Sequence, residues 1–252
     1  MASREEMSRS FGSAAAAYEA GRPEYPREAV DWMLAPVQHP GRALRAADVG
    51  AGTGKLTRTI LEAGAEVVAI DPDADMLAAL RENVHGVPTF AGTAERMPLP
   101  DASLDAVLLG QAWHWVDPAV ASTEVARVLR SGGVLGLVWN VRDESEPWVA
   151  DLTAAMHGSH AEQMIAADGP TVESPFGPLE KCTWSWTRTL GREALLSMAS
   201  SRSYIITASS EDRARVLTVV GDLFDARRRV DDTGAEVVDL PYLTHAFRGI
   251  RP

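Results

Sequence analysis

The feature that most constrains this chain is the run DVGAGTGKLT, residues 48–57, which continues the apolar segment LRAADVG without a break. A strand that feeds directly into glycines and then into a helix aims the unpaired N–H groups of the first helical turn beyond the strand end. Glycine at 50 and 52 keeps side chains out of that space, so a ligand can approach the backbone. The glycines fall at 50, 52 and 54, giving G-x-G-x-G, and Lys55 stands where the dinucleotide fingerprint G-x-G-x-x-G has its third glycine. A phosphate-binding loop does not fit either, because it needs glycine at 49 and Ser or Thr at 56, where the chain has Val49 and Leu56. The next apolar run, EVVAID, ends in Asp71, 21 residues after Gly50. A carboxylate at that strand tip accepts both hydroxyls of a ribose, so turn and acid together predict a nucleoside-type cofactor.

Around this unit the pattern alternates. GRPEYP (residues 21–26) is a turn before a helix over REAVDWMLAPV; LRAADVG, EVVAID, VPTFAG, LDAVLLG and VLGLVWN read as strands; GKLTRTILEAG, ADMLAALREN and VASTEVARVLR read as helices. Ser131, Gly132 and Gly133 are expected to turn the chain into VLGLVWN. Strands alternating with helices imply a parallel sheet covered on both faces, with right-handed crossovers. Beyond Asn140 the rhythm loosens. EKCTWSWTR alternates like a half-buried strand with Cys182, Trp184 and Trp186 on one face, and AEVVDLPYLTHAF supplies a last strand. We expect one domain, 1–252, with the cofactor-binding core at 45–140 and residues 142–178 and 190–232 as cap elements on the acceptor side.

Bulk properties narrow the partners. A chain of 252 residues with 46% apolar content can bury one sizeable core. The formal charge of −11 argues against nucleic-acid partners, because phosphate neutralisation needs clustered Lys and Arg. Arg227, Arg228 and Arg229 form the densest basic run and are flanked by Asp225, Asp231 and Asp232. Cys182 is the only cysteine, which excludes an intrachain disulfide and a Cys-based zinc site. No apolar stretch approaches the ~18 residues of a membrane span, and MASREEMSRSFGS has no signal-peptide core, so a cytoplasmic protein is expected. His157 and His160 lie i, i+3 without acidic or Cys ligands nearby, and no metal is expected.

DVGAGTG, Asp71-Pro72, GTAERMPLPDASLDAV and VLRSGGVLGLVWN together resemble the class I S-adenosylmethionine-dependent methyltransferases, with the strongest match over residues 46–140. FGSAAAAYEAGRPEYP, QAWHWVDP, SRSYI and PYLTHAFR are similar to a small-molecule branch of that family. The resemblance implies a Rossmann-like, doubly wound α/β fold with a seven-stranded, mostly parallel sheet whose last strand is antiparallel. It places Asp48 near the amino-acid end of S-adenosylmethionine, Gly50, Gly52 and Gly54 beneath it, Asp71 on the ribose, and Pro72, Thr93, Ala94 and Glu95 about the adenine. Many members have Asp where this chain has Thr93. Tyr18 and Arg22 come down over the methionine moiety as part of an N-terminal lid at residues 1–30, and Gln111 borders the cofactor. An Arg-Pro turn at Arg22 also has a purely structural reading.

LDAVLLG is the fourth strand, and ligands in an open α/β sheet sit beyond the carboxyl ends of the strands. His114 therefore leaves the sheet on the ligand side, between Trp113 and Trp115. Three roles stay open for it: general base, substrate contact, or packing between the indoles. Trp113, Trp115, Trp139 and Tyr204 are candidates for the wall of the acceptor pocket, with Ser201 and Ser203 near them; Trp184 and Trp186 fit the core better. The expectation is a methyltransferase acting on a small molecule as a monomer or homodimer. A rearrangement catalyst with the same cofactor, or a non-catalytic binding module, would share these motifs.

Overall fold

The computed structural model describes residues 21–156, 162, 164, 165, 167, 169–201, 205 and 208–252. Tyr18, His157, His160, Ser203 and Tyr204 lie outside the described residues. Helix α1 (Arg27–Leu34) precedes β1 (Leu44–Val49), α2 (Lys55–Glu62), β2 (Ala65–Asp71), α3 (Ala74–Asn83), β3 (Thr89–Ala91), β4 (Leu104–Gly110), α4 (Pro118–Val128) and β5 (Leu129–Arg142). Then follow α5 (Pro147–Ala155), β6 (Glu180–Gly191), α6 (Arg192–Ser200), α7 (Ser210–Arg227), β7 (Arg229–Val230) and β8 (Glu236–Ile250). The sheet runs β3-β2-β1-β4-β5-β8-β6, and the two-residue β7 pairs with β8. β1 to β5 pair in parallel, and β8 is antiparallel to both of its neighbours. The expected seven strands form the main path; β7 is an addition too short to leave a period in the sequence.

Local chemistry sets the boundaries. The Asp73 carboxylate caps α3 by accepting from the N–H groups of Asp75 and Met76, and Asp117 caps α4 in the same way ahead of Pro118. One boundary differs from the expectation. Instead of turning at Ser131–Gly133, the chain stays in β5 from Leu129 onward. The register with β4 slips between Leu104 and Ala106, and Gly132 takes φ +78°. This excursion is held from outside, since Gly132 N–H donates to the Arg251 carbonyl and Arg251 N–H to that of Gly133. A glycine bulge braced by a distant backbone stays in the sheet, which local turn signals do not reveal.

The central strands are buried on both faces, as parallel sheets require. One face packs Val49, Leu109, Leu137 and Trp139; the other packs Leu108 and Val138 against Met33, Leu34 and Ile60. A third cluster seats α5, α6 and α7 on the antiparallel strands through Trp148, Leu152, Met198, Phe224 and Tyr242. Trp186 stacks on Tyr242 at 4.9 Å, and Trp184 meets Trp32 edge-on at 6.0 Å, so both indoles belong to packing. No described helix is long and apolar enough to cross a membrane.

Candidate active site

Between β1 and α2, Gly50 and Gly52 adopt φ +70° and +54°, a region that costs a side chain strain. The turn is tied to β2 by the N–H groups of Gly50 and Ala51, which both donate to the Ile70 carbonyl. A Cβ at Gly50 would sit 2.7 Å from Ala112 Cβ, whereas at Gly52 nothing lies within 4 Å. Gly50 therefore lets the turn approach the loop after β4, and Gly52 faces open space. Replacing Gly50 by Ala is expected to lower stability by about 1–3 kcal/mol through backbone strain and the clash with Ala112; the midpoint of urea unfolding measures this.

Asp48 ends β1 with no exposed surface. Its Oδ2 accepts from Thr57 Oγ1 at 2.6 Å, while Oδ1 is buried without a hydrogen-bond partner. Burial pushes its pKa up to about 7; the Thr57 hydrogen bond opposes this and the Asp71 charge adds to it. Asp71 accepts the Gly52 N–H on Oδ2 and the Asp73 N–H on Oδ1, each at 2.9 Å, and its pKa is raised, chiefly by burial. Asp48 Oδ1 thus lacks a donor beside a cleft bounded by Arg22, Pro23, Gly52, Lys55, Gly110 and Gln111. A cationic ammonium group on a ligand fits that vacancy. Asp71 keeps a second lone pair on each oxygen for hydroxyl donors. These features match an amino-acid-bearing nucleoside such as S-adenosylmethionine.

Residues 21–25 form a strap over this cleft. Glu24 pairs with Lys55 Nζ and Arg58 Nη1, both at 2.9 Å, and its carbonyl accepts from Asn140 Nδ2 at 3.0 Å. Arg188 Nη1 donates to the Gly21 carbonyl at 2.9 Å, and a Cβ on Gly110 would meet the Tyr25 hydroxyl at 2.6 Å. The strap is thereby held against α2, β5 and β6, with Arg22 lining the cleft.

Across the sheet from the turn, β3 pairs with β2 up to Asp71, so Thr93, Ala94 and Glu95 follow shortly after the residue paired with Asp71. Thr93 and Pro72 are exposed, and Ala94 is buried. Glu95 Oε1 accepts the Asp117 N–H at 3.0 Å, joining this segment to the end of the QAWHWVDP loop.

That loop leaves β4 through Gln111, a non-glycine residue at φ +57° whose N–H donates to the Val138 carbonyl and whose Nε2 donates to the Asn140 carbonyl. Those bonds hold a conformation that is otherwise disfavoured. Trp113 is buried, with Nε1 donating to the Thr171 carbonyl at 2.8 Å. Trp139 is fully buried, meets Phe247 edge-on, and directs Nε1 at His114 Nδ1 over 3.5 Å. Trp115 and His114 are half-buried, with ring centroids 4.7 Å apart. The structure thus brings His114 and Trp115 to the open side and holds Trp113 and Trp139 in the core beneath them. Sequence reasoning did not find Thr57, Glu24, Lys55 or Asn140. A hydroxyl nine residues after Asp48, at the third position of the helix that follows the glycine turn, was the available signal for Thr57.

Solved structures share this fold. A type II methyltransferase of Anaeromyxobacter dehalogenans superposes with a TM-score of 0.65 at 22% identity, over 91% of this chain and 98% of that one. A phosphoethanolamine N-methyltransferase of Haemonchus contortus, solved with S-adenosylmethionine, does so with a TM-score of 0.54 at 16% identity, over 100% of this chain and 60% of that one. The fold is therefore that of the Rossmann-like methyltransferases. Residues 47–137 match the methyltransferase domain family. Over 252 residues the chain is 46% identical to an uncharacterised methyltransferase of Mycobacterium bovis, spanning 98% of this chain and 97% of the relative. The chain belongs to the S-adenosylmethionine-dependent methyltransferase family.

Proposed function

We propose that the protein transfers a methyl group from S-adenosylmethionine to a small organic molecule by in-line displacement. The observation that carries this reading is the strapped cleft, in which the unpartnered Oδ1 of Asp48 lies under residues 21–25. S-adenosylmethionine supplies a methyl group already activated on a sulfonium. Asp48 holds the ammonium end, Arg22 the carboxylate end, Asp71 the ribose hydroxyls, and Pro72, Thr93, Ala94 and Glu95 border the adenine. Gln111 shapes the boundary between cofactor and acceptor. The strap limits access of water, and the walls beyond Gly110 orient the acceptor atom; alignment of this kind accounts for much of the rate of such transfers. A strapped cleft and a charge of −11 favour a small acceptor over a nucleic acid.

His114, half-buried beside Trp115, borders the acceptor in this reading. The Trp139 indole N–H can only donate, so the neutral ring of His114 meets it with a bare Nδ1 and carries its proton on Nε2. Replacement of His114 by Gln, which keeps a donor, is expected to retain most of kcat, and His114→Phe to lose roughly tenfold. A loss of about 10²–10⁴ in both variants would instead make His114 the general base.

The reaction is tested by calorimetric titration with S-adenosylmethionine and S-adenosylhomocysteine, NAD serving as control, followed by an acceptor screen read by mass spectrometry. Binding of both sulfur nucleosides and products heavier by one methyl group are expected. Products of unchanged mass would reveal a rearrangement catalyst, and binding of NAD alone would end the proposal.

A further inference from the structure

Arg22, Pro23 and Tyr25 of the strap line the cofactor cleft, and Gln111 lines it from the end of β4. Asn140 stands outside that lining and is bonded to both walls. Its Nδ2 donates to the Glu24 carbonyl, in the middle of the strap, at 3.0 Å, and its own carbonyl accepts Gln111 Nε2 at 2.8 Å. Gln111 needs such support, because its backbone sits at φ +57°. One residue of β5 thus sets how the two walls stand toward each other.

The amide of Asn140 is oriented in turn from the antiparallel side of the sheet. Thr244, opposite Asn140 in the register with β8, is fully buried and gives Oγ1–H to Asn140 Oδ1 at 2.6 Å. Trp186 of β6 gives Nε1–H to Thr244 Oγ1 at 2.8 Å while its ring stacks on Tyr242. The two ends of this relay fix every proton between them. An indole N–H can only donate and a peptide carbonyl can only accept, so the bonds run in one direction, from Trp186 through Thr244 and Asn140 to Glu24. A flipped amide would set Oδ1 against the Glu24 carbonyl, two acceptors with no proton between them. Aligned bonds polarise one another, and burial keeps water from replacing a lost partner at Thr244 or Asn140. The ion pairs of Glu24 with Lys55 and Arg58 are a weaker tie, because the Glu24 side chain is 51% exposed and open to screening by salt.

We infer that Asn140 is a positioning residue for cofactor binding: directed by Trp186 and Thr244, it keeps the strap and Gln111 preset around the amino-acid part of S-adenosylmethionine. The cofactor then meets an ordered cleft and does not have to order it. Through this relay the antiparallel strands govern affinity at the parallel ones. When the relay is broken, a smaller fraction of molecules has both walls in place, and apparent affinity falls by that fraction. The inference rests on the reading that S-adenosylmethionine occupies this cleft.

The test is calorimetric titration of S-adenosylhomocysteine into the full-length wild type and three variants, each held well below its own unfolding midpoint. Thr244→Val keeps the shape of the side chain and removes the hydroxyl; Thr244→Ser keeps the hydroxyl and removes the methyl group. Thr244→Val is expected to weaken binding about fivefold to thirtyfold, and Thr244→Ser to stay within about twofold of wild type. Asn140→Leu, which takes away the donor to Glu24, should lose roughly tenfold to a hundredfold. A role in packing alone reverses the order of the Thr244 pair, since Val fills the site and Ser leaves a gap. Wild-type affinity in Thr244→Val, a loss in Thr244→Ser as large as in Thr244→Val, or unchanged binding in Asn140→Leu would overturn the inference. Should one of the two positions yield no folded variant, the other decides. Failure of wild type to bind S-adenosylhomocysteine would instead sink the reading of the cleft as the cofactor site, a result distinct from any ranking among the variants.

Discussion

Asp71→Ala is expected to weaken S-adenosylhomocysteine binding by roughly 10²–10⁴, since two hydrogen bonds from ribose hydroxyls to a charged acceptor are lost together. Part of the loss will be structural, because the same carboxylate accepts the N–H groups of Gly52 and Asp73 and so shapes the turn. Asp71→Asn separates the two effects. It retains one oxygen for the backbone, so its unfolding midpoint should stay nearer that of wild type while affinity still drops. Titration calorimetry on both variants, alongside thermal unfolding, measures each quantity. An unchanged Kd in Asp71→Ala would remove Asp71 from the cofactor site.

The second large effect is a pH dependence centred on Asp48. With its pKa raised by burial to about 7 from the ordinary 3.8, the folded protein holds a proton over that window which the unfolded chain has released. The folded state then binds more protons than the unfolded, so the contribution of Asp48 to stability is fully present below pH 3.8 and is lost as pH rises through about 7. The linkage relation puts the change at up to about 4 kcal/mol. A ligand ammonium favours the ionised carboxylate, so cofactor binding should strengthen as pH rises toward and past 7 and should release a proton. Calorimetry at pH 6 in two buffers of different ionisation enthalpy detects that proton. Asp48→Asn should abolish the release and flatten this part of the stability profile. If wild type released no proton at pH 6, the ammonium would not be meeting Asp48.

The donor half of the molecule was legible in the sequence because its determinants are local. The glycine turn, Asp71 at a strand tip and the alternation of strand and helix all lie within one βα unit of what they control. Alternation along EKCTWSWTR likewise showed which face of β6 turns inward. The acceptor half resisted for the opposite reason. Trp139 lies in a strand buried on both faces, where apolar content is continuous and carries no period to show which way an indole points. Asn140 and Thr244 meet across 104 residues, and the clamp from Lys55 to Glu24 crosses 31. Such pairings exist only once the sheet order is known. Arg142 lies beyond the strand read from the sequence, VLGLVWN, and only the fold shows that β5 reaches it and that Thr153 and Glu162 engage its guanidinium.

The insertion of β8 between β5 and β6 bears on the order in which the protein assembles during synthesis. Strands β2 to β5 each find one neighbour among strands already made, so pairing of the parallel part of the sheet can proceed as the chain emerges. β6 has no such partner: its ladder is with β8, which is translated later. During that interval its twelve residues present unpaired backbone groups, a template for unwanted pairing. Thr183, Ser185, Thr187 and Thr189 remain exposed on its outer face in the finished fold. Their hydroxyls keep one side of the waiting strand compatible with water, protecting the nascent chain before those positions become the protein's finished surface.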